Sequence, residues 1–268
     1  MPDLQGQHAV VVGGGGQGIG RSVSLALATA GARVTVVDLD PEQSSGVVDE
    51  IVGLGGRADS QAANACSSDE VNAAIDAAAE GSDGIDVLVT VVGGVRGLAP
   101  WQPVHQHTDA QWAAILDLNL TSAFLSVRAA LTHMVPRGRG SIVAVGSLSG
   151  MRGAPNHAAY GAAKAGVIHL ARSVAIEYGR HGIRMNAVSP GRVDTPATSD
   201  TLDDAAYRVM AERVPLGRMA SPDDIAAAVA FLASPESAYI SGQVLTVDGG
   251  ASARFPLPIA GTDPSEAF

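Results

Sequence analysis

The sequence contains very little cysteine and little charge, and each scarcity argues against a class of protein. Cys66 is the only cysteine among 268 residues, so no disulfide can form within the chain. Hydrophobic residues make up 46% and charged residues 16%, which favours a large core over a disordered chain. The net charge is -10 without any basic run, so a nucleic-acid partner is not expected.

Long apolar runs are also missing from the sequence. None reaches the roughly 18 residues that a membrane-spanning helix needs, and residues 1–5 contain no basic and apolar signal segment. The single cysteine agrees with a reducing compartment. The sequence therefore predicts a cytoplasmic protein with no membrane partner.

Strand-like runs alternate with helix-like segments from one end of the chain to the other. We expect strands at residues 9–12, 33–38, 57–63, 86–92, 141–145, 183–189 and 244–247. The alternation predicts an α/β fold of Rossmann type, a doubly wound parallel sheet of about seven strands with helices on both faces. Without a linker or an internal repeat, one domain is expected over residues 1–252, followed by a proline-bearing tail at 253–268.

Two predicted helices carry recognisable start signals. Ser67-x-x-Glu70 and Thr108-x-x-Gln111 have the spacing of a capping box, in which the two side chains bond each other's backbone N–H groups. The helix after Thr108 is predicted as one continuous segment to about residue 135. Long irregular stretches at residues 94–107 and 194–216 follow strand ends, where ligands bind in open α/β sheets.

A glycine-rich turn, Gly13-Gly14-Gly15-Gly16-Gln17-Gly18-Ile19-Gly20, joins the first strand to the first helix. It matches both G-x-G-x-x-G, starting at residue 13, and G-x-x-x-G-x-G, starting at residue 14, and either spacing remains open. Such a turn places backbone N–H groups and a positive helix terminus against a pyrophosphate, which a Cβ would exclude. The turn therefore predicts a dinucleotide-binding site.

Asp38 ends the second strand, twenty residues after Gly18. A carboxylate at this place can bind ribose hydroxyls and repel a 2′-phosphate. No Arg or Lys stands at Gln17, Leu39 or Asp40 to attract such a phosphate. We therefore expect NAD rather than NADP, although Asp38 could also simply begin a turn.

Tyr160 and Lys164 are four residues apart in a predicted helix, so their side chains share one face. Lys164 is the only lysine in the chain. A cation beside a phenol lowers the pKa of the phenol, which makes it a proton donor and acceptor near neutral pH. Ser147, at the end of the fifth strand, can hold a substrate oxygen beside Tyr160. The alternative is an ordinary Tyr–Lys pair on a solvated helix face.

These motifs together resemble those of the short-chain dehydrogenase/reductase family over residues 6–251. The matching pieces are the glycine turn, Asp38, Leu118-Asn119-Leu120, Gly146-Ser147, Tyr160-x-x-x-Lys164, Pro190-Gly191-x-Val193-x-Thr195 and Ser241-Gly242-Gln243-x-x-x-Val247-Asp248-Gly249-Gly250. Each is modest alone, whereas their order and spacing are highly specific. The resemblance implies hydride transfer between NAD(H) and a secondary alcohol or ketone, a small-molecule substrate, and a homo-oligomer, either a tetramer or a dimer.

The resemblance also implies roles for individual residues. Tyr160 would be the general acid/base, Lys164 would lower its pKa and bind the nicotinamide ribose, and Ser147 would orient the substrate oxygen. Asn119 would hold a water that links Lys164 to solvent. The expected catalytic residues are therefore Asn119, Ser147, Tyr160 and Lys164. The expected cofactor-binding residues are Gly14, Gln17, Gly18, Ile19, Gly20, Asp38, Asn64, Ala65, Gly93, Tyr160, Lys164, Pro190, Gly191, Val193 and Thr195.

Two positions depart from the family pattern. Thr90-Val91-Val92-Gly93 stands where the family usually has Asn-Asn-Ala-Gly, which puts a structural tie across the sheet in doubt. Asn64 stands where many members carry an Asp near the adenine, and its side-chain carbonyl can still accept a hydrogen bond from the adenine amine.

Alternatives stay open for the function and for several polar residues. The chain could be an NADPH-dependent 3-oxoacyl-carrier-protein reductase, against which Asp38 and the net charge argue, or a catalytically silent nucleotide-binding sensor. His157 lies one turn before Tyr160 and could touch substrate, but a solvated histidine at a helix start is the favoured interpretation. Ser149 is interpreted as a polar turn residue or minor pocket wall. His105 and His107 lack a third ligand at a suitable spacing, so no metal is expected.

Overall fold

The computed structural model describes residues 2–95, 98, 101–199 and 203–253, so residues 254–268 of the predicted tail lie outside the described residues. One parallel sheet has the spatial order β3-β2-β1-β4-β5-β6-β7. The strands are β1 His8–Val12, β2 Arg33–Asp38, β3 Arg57–Ala62, β4 Val87–Thr90, β5 Gly140–Val145, β6 Ile183–Pro190 and β7 Val244–Val247. The doubly wound parallel sheet is confirmed, whereas the division into one domain and a tail stays a prediction.

Nine α-helices occur within the described residues. They are α1 Ile19–Thr29, α2 Pro41–Gly53, α3 Ser68–Glu80, α4 Asp109–Leu116, α5 Ser122–Arg137, α6 Ala158–Tyr178, α7 Pro196–Ser199, α8 Asp204–Glu212 and α9 Pro222–Ala233. The sequence did not predict α7 and α8, which lie in the stretch expected to be irregular.

Both faces of the sheet are covered by helices. Val11 lies in an apolar cluster with residues of α1, α2 and α9. Its neighbour Val10 lies in the opposite cluster, with residues of α3, α5 and α6. Successive strand residues point to opposite faces, so burial of both faces explains why the strands are continuous apolar runs.

The order of the strands reverses beside β1. The chain passes from β3 at one edge to β4, which pairs with β1 on the other side through Val12 and Thr90. Ligands bind outside the carboxyl ends of strands at such a point. The fold therefore places the glycine turn after β1 and Ser147 after β5 at one edge of the sheet.

The helix that begins after Thr108 is not continuous, as the sequence predicted, but contains a π-helical turn at Asp117–Thr121. Asn119 lies wholly buried in this turn. Its side-chain amide donates to the carbonyl oxygen of Ile115 at 3.0 Å and to that of Gly94 at 2.9 Å, which ties the turn to the loop after β4. By length and hydropathy the span Asp109–Arg137 could cross a membrane, but 61% of its apolar window is buried in the fold.

One of the two predicted capping boxes is complete. Thr108 and Gln111 bond each other's backbone N–H groups. At α3, Ser67 accepts from the N–H of Glu70, but the Glu70 carboxylate accepts from the N–H of Asn64 at 2.9 Å instead. The prediction of a full box there is wrong because the preceding loop brings another donor within reach of Glu70.

Candidate active site

A cleft of about 1170 Å³ opens at the carboxyl ends of the central strands. We call the part lined by the glycine turn and Asp38 the glycine end, and the part lined by Ser147 and Tyr160 the tyrosine end. Thirteen of the predicted site residues line this cleft: Gln17, Gly18, Ile19, Gly20, Asp38, Gly93, Ser147, Tyr160, Lys164, Pro190, Gly191, Val193 and Thr195. The cleft therefore brings together most residues that the sequence selected.

Four predicted residues do not line the cleft. Gly14 is buried behind the turn, where an added Cβ would lie 3.0 Å from Ser24 Oγ. Asn64 and Ala65 line a small neighbouring cavity that also touches Asp38. Asn119 is buried behind the loop that follows β4. The prediction that Gly14 binds the cofactor stays a prediction.

The turn at the glycine end depends on close backbone approach. A Cβ on Gly20 would overlap the carbonyl oxygen of Gly13, whereas a Cβ on Gly18 would meet nothing within 4 Å. A glycine at position 20 is thus required by packing within the protein. At position 18 the protein itself does not require a glycine, so a side chain there would be excluded only by a bound ligand. An open, glycine-lined cradle at a helix N-terminus fits a pyrophosphate.

Asp38 is bonded to the glycine turn itself. Its Oδ2 accepts from the N–H of Gly15 at 3.0 Å, and its Oδ1 accepts from the N–H of Asp40 at 3.3 Å. The sequence interpretation missed one cation of this region, Arg21, because it considered only Gln17, Leu39 and Asp40. Arg21 lines the cleft but is paired with Glu50 of α2, which also lines it.

Asn64 already uses part of its hydrogen-bonding capacity within the chain. Its side-chain oxygen accepts from the N–H of Cys66 at 3.0 Å. A carbonyl oxygen has two lone pairs, so one remains for a further donor. The structure is thus compatible with the predicted contact to an adenine amine.

Two serines and a tyrosine are linked at the tyrosine end. The N–H of Ser149 donates to Ser147 Oγ at 3.2 Å, and Ser147 is hydrogen-bonded to the hydroxyl of Tyr160. Burial raises the pKa of Tyr160, and the bond from Ser147 opposes this rise by stabilising the phenolate. The thirteen-residue spacing thus brings Ser147 and Tyr160 together, as the sequence predicts.

Lys164 is almost completely buried beneath Tyr160. Its side chain is 2% exposed, and Nζ donates to the carbonyl oxygen of Val145 at 3.0 Å. Nζ lies 5.9 Å from the centroid of the Tyr160 ring. Burial lowers the pKa of Lys164 to about 8. Burial is the largest influence on the pKa of Tyr160 and raises it, whereas the lowering of this pKa by Lys164 stays a prediction.

Gly93 separates Lys164 from Asn119. A Cβ on Gly93 would lie 2.7 Å from Lys164 Nζ and 2.8 Å from Asn119 Oδ1. The same oxygen of Asn119 accepts from the N–H of Gly94 at 2.8 Å. At the position where the family usually has Ala, Val92 packs closely on Gly13. Close packing therefore joins the ends of β1 and β4 in this chain.

The loop after β6 forms the opposite side of the cleft. The N–H of Gly191 donates to the carbonyl oxygen of Val247 at 2.9 Å, and the N–H of Thr195 donates to Thr198 Oγ1 at 3.0 Å. Arg192 lines the cleft, whereas Arg152 donates to the carbonyl oxygen of Ser252. Of these two arginines, only Arg192 lies at the cleft.

The tyrosine end also has a wall that the sequence interpretation missed. We call Trp101 and His157 the aromatic wall; their ring centroids are 4.2 Å apart. The centroid of Tyr160 lies 5.7 Å from that of Trp101 and 6.4 Å from that of His157. Ser149 Oγ is hydrogen-bonded to His157 Nδ1 at 2.9 Å. His157 lies at the helix start, as interpreted, but it is half-buried and hydrogen-bonded at the cleft rather than free in solvent.

Burial lowers the pKa of His157, which favours the neutral imidazole. The position of His157 one turn before Tyr160 was a usable signal for a site residue. Trp101 gave no such signal, because it lies in a long loop without periodicity. Among the described residues, no three His, Cys, Asp or Glu side chains group together to hold a metal.

The doubly wound sheet, the glycine turn and the Ser147–Tyr160–Lys164 group define a dinucleotide-dependent oxidoreductase. A family model described as enoyl-(acyl carrier protein) reductase matches residues 14–252. Cis-4-hydroxycyclohexanecarboxylate dehydrogenase of Sinomonas cyclohexanicum is 42% identical over 185 residues, covering 69% of this chain and 73% of that protein. A 3-oxoacyl-acyl-carrier-protein reductase of Thermotoga maritima is 34% identical over 220 residues, covering 82% and 87%.

Similar solved structures are also dehydrogenases. A 7α-hydroxysteroid dehydrogenase complexed with NADH and 7-oxo glycochenodeoxycholic acid has a TM-score of 0.87 at 33% identity, covering 92% of this chain and 95% of that one. A gluconate 5-dehydrogenase of Burkholderia cenocepacia in complex with NADP and tartrate has a TM-score of 0.87 at 30% identity, covering 94% and 98%. The chain belongs to the short-chain dehydrogenase/reductase family.

Membership confirms the predicted reaction class. The protein is an oxidoreductase that transfers a hydride between a nicotinamide cofactor and a secondary alcohol or ketone, and its substrates are small molecules.

Proposed function

We propose that this enzyme uses NAD, with Tyr160 as the proton carrier for a secondary alcohol or ketone. The linked Ser149, Ser147 and Tyr160 support this proposal most directly. Because Ser147 Oγ accepts from the N–H of Ser149, its own proton is directed to Tyr160 or to a substrate oxygen. In oxidation, the carbinol carbon would lose its hydride to the nicotinamide of bound NAD⁺ and the hydroxyl proton would pass to the Tyr160 phenolate, which leaves a ketone.

We assign Lys164 and Asn119 supporting roles in this proton transfer. Lys164 Nζ is a buried cation 5.9 Å from the centroid of the Tyr160 ring, so it favours the phenolate when it is protonated. Asn119 bonds both the N–H and the carbonyl oxygen of Gly94, which holds the loop beside Lys164 in place. The water that the family resemblance implies at Asn119 stays a prediction.

We assign the glycine end to the cofactor. Gln17, Gly18, Ile19 and Gly20 would hold its pyrophosphate, Asp38 its adenosine ribose, and Asn64 and Ala65 its adenine. Gly93, Pro190, Gly191, Val193 and Thr195 would hold the nicotinamide half, together with Tyr160 and Lys164. The open cradle at Gly18 supports this assignment, and the bound nicotinamide would supply the hydride chemistry.

The preference for NAD is argued from charge. Asp38 and Glu50 place carboxylates at the glycine end, and Glu50 pairs with the nearby Arg21. A 2′-phosphate would meet repulsion there. The relatives do not decide the question, since one solved neighbour is complexed with NADH and another with NADP.

Measured affinities for NADH and NADPH would test this preference. We expect NADH to bind at least about tenfold more tightly, a difference of about 1.4 kcal/mol. Asp38→Asn should reduce the ratio, whereas the matched change Asp40→Asn should retain it, because Asn also caps helices well and Asp40 does not line the cleft. Tighter binding of NADPH by the parent would overturn the proposal.

Turnover should be measured with NAD⁺ and NADP⁺ across secondary alcohols, sugars and hydroxysteroids. Formation of NADH with one substrate class would support the proposal and identify that class. Tight NADH binding without turnover on any substrate would favour the nucleotide-sensor alternative.

The second candidate is reduction of a 3-oxoacyl group on a carrier protein. The similarity to the Thermotoga maritima reductase favours it, whereas the carboxylates at the glycine end and the net charge of -10 do not suit NADPH or an acidic carrier. NADPH-dependent reduction of an acetoacetyl-carrier protein at a rate above that of any free alcohol or ketone would establish this function instead.

We also propose a homo-oligomer, a dimer or a tetramer, and a cytoplasmic location. Large apolar side chains are exposed on the outer helices, with Trp112 at 40%, Phe124 at 43% and Ile176 at 83%. Covering them with a second copy would remove this apolar area from water. The mass in solution, measured by light scattering, tests the oligomer, and a single monomer mass would contradict it.

A further inference from the structure

We propose that the aromatic wall, Trp101 and His157, selects secondary alcohols and ketones whose reacting carbon belongs to a ring. This inference rests on the proposed function, because it concerns what the tyrosine end accepts. The observation behind it is a large flat side chain beside the reacting hydroxyl. Only ten of the 268 residues are aromatic Phe, Tyr or Trp, and two of them meet at this place.

Trp101 offers apolar area directly beside Tyr160. Its side chain is 49% exposed although it lines the cleft, and its ring centroid lies 5.7 Å from that of Tyr160. A substrate oxygen held by Tyr160 and Ser147 would therefore place the adjoining carbons near the indole. Burying exposed indole area against an apolar substrate body stabilises the complex.

His157 is held in place rather than free to rotate. One side of its ring packs against Trp101 at 4.2 Å between centroids, and Nδ1 is bonded to Ser149 Oγ at 2.9 Å. The N–H of the same Ser149 bonds Ser147 Oγ. Ser149 thus fixes both the wall and the hydroxyl that orients the substrate, so their relative position is set by one residue.

A fixed flat wall favours a ring over an open chain. A ring loses few internal rotations when it binds, whereas an open chain of the same size must order several bonds to cover the same area. A preorganised binding surface gains affinity from this smaller entropy loss. The wall should therefore discriminate between cyclic and linear alcohols of equal carbon number.

The test compares cyclohexanol with 2-hexanol as substrates, with NAD⁺ at saturation. The parent should show a kcat/KM ratio that favours the ring, and Trp101→Leu should lower this ratio by about tenfold, mainly through KM for the ring. Trp112→Leu is the matched control, since Trp112 is the second tryptophan of the chain, is 40% exposed and does not line the cleft. It should leave the ratio unchanged.

A second variant tests the role of Ser149 as a positioning residue. Ser149→Ala removes the bond to His157 Nδ1 and keeps the backbone N–H that bonds Ser147. We expect it to raise KM for cyclohexanol with a smaller change in kcat. Ser45→Ala, which removes the hydroxyl of an exposed serine of α2 outside the cleft, is the matched control and should leave KM unchanged.

The outcomes separate this inference from the function on which it rests. If both alcohols are turned over and Trp101→Leu leaves the kcat/KM ratio unchanged, the proposed selectivity of the aromatic wall is overturned. The dehydrogenase function would then still stand. Absence of turnover with every alcohol and both cofactors would overturn both. A ratio that falls in Trp101→Leu and stays constant in Trp112→Leu would support both.

Discussion

The two ends of the cleft are built from different parts of the chain. At the glycine end, backbone groups and glycines make the surface, and close contacts such as Gly20 on Gly13 fix the turn. At the tyrosine end, side chains from separate loops and α6 make the surface, and Ser149 links several of them. The backbone surface of the glycine end suits a ligand of constant identity, such as the cofactor that we assign to it. At the tyrosine end, single side-chain substitutions can change which substrate binds.

The largest expected effect comes from a variant that removes proton transfer at the tyrosine end and leaves the glycine end intact. Tyr160→Phe removes the hydroxyl that exchanges the proton, so kcat should fall about a thousandfold. The affinity for NADH should change little, because the glycine turn is untouched. Tyr239→Phe, at a fully exposed tyrosine, is the control and should retain activity. Unchanged turnover in Tyr160→Phe would contradict the role of Tyr160.

The converse experiment would impair the glycine end alone. Gly18→Ala adds a Cβ with no protein atom within 4 Å, so the free energy of unfolding should change by less than about 0.5 kcal/mol, while NADH affinity falls about tenfold. Gly20→Ala would overlap Gly13 and should lower the free energy of unfolding by about 2 kcal/mol or more. Chemical denaturation and NADH titration measure both. Equal stability losses in the two variants would contradict the packing described here.

A third prediction concerns Lys164, which lies between the two ends. Its pKa is about 8 in the folded protein and about 10.5 in the unfolded chain. Between these values the unfolded chain binds the extra proton, so the free energy of unfolding should rise as pH rises from about 8 to about 9.5. Lys164→Met should lack this rise. Urea denaturation across this range measures it, and parallel curves for the two proteins would refute a lowered pKa.

The smallest effect would report on the aromatic wall. In a Trp112→Phe background, Trp101 is the only tryptophan, and a protonated imidazole packed against it quenches indole fluorescence. Because burial lowers the pKa of His157, the quenching midpoint should lie below the ordinary histidine value of about 6.5. His157→Gln should abolish the transition. A midpoint above the ordinary value would mean that His157 is not buried against Trp101.

Sequence reasoning was successful where function depends on backbone geometry or on fixed spacing. The glycine turn, Asp38 and the Tyr160–Lys164 pair were predictable, because a strand end, a turn and one helix face determine their positions. Trp101 was not, because no periodic pattern in the sequence around it fixes its place relative to Tyr160. The raised pKa of Tyr160 was missed for a related reason, since burial cannot be read from spacing.

The π-helical turn at Asn119 shows the same limit. Residues 108–137 have the composition of one helix, and only the bonds from Asn119 to Gly94 and Ile115 reveal the interruption. The bond from Asn119 to Gly94 joins segments that are 25 residues apart, so local propensity cannot predict it.

The most direct test of hydride transfer between the two ends is isotopic. A secondary ring alcohol deuterated at the carbinol carbon would be incubated with NAD⁺ and the enzyme, and the reduced cofactor would be analysed by mass spectrometry. If the two ends hold cofactor and substrate side by side, the deuterium should appear in NADH, because the hydride moves directly from the carbinol carbon. Ketone formation with NADH that carries no deuterium would contradict direct transfer across this cleft.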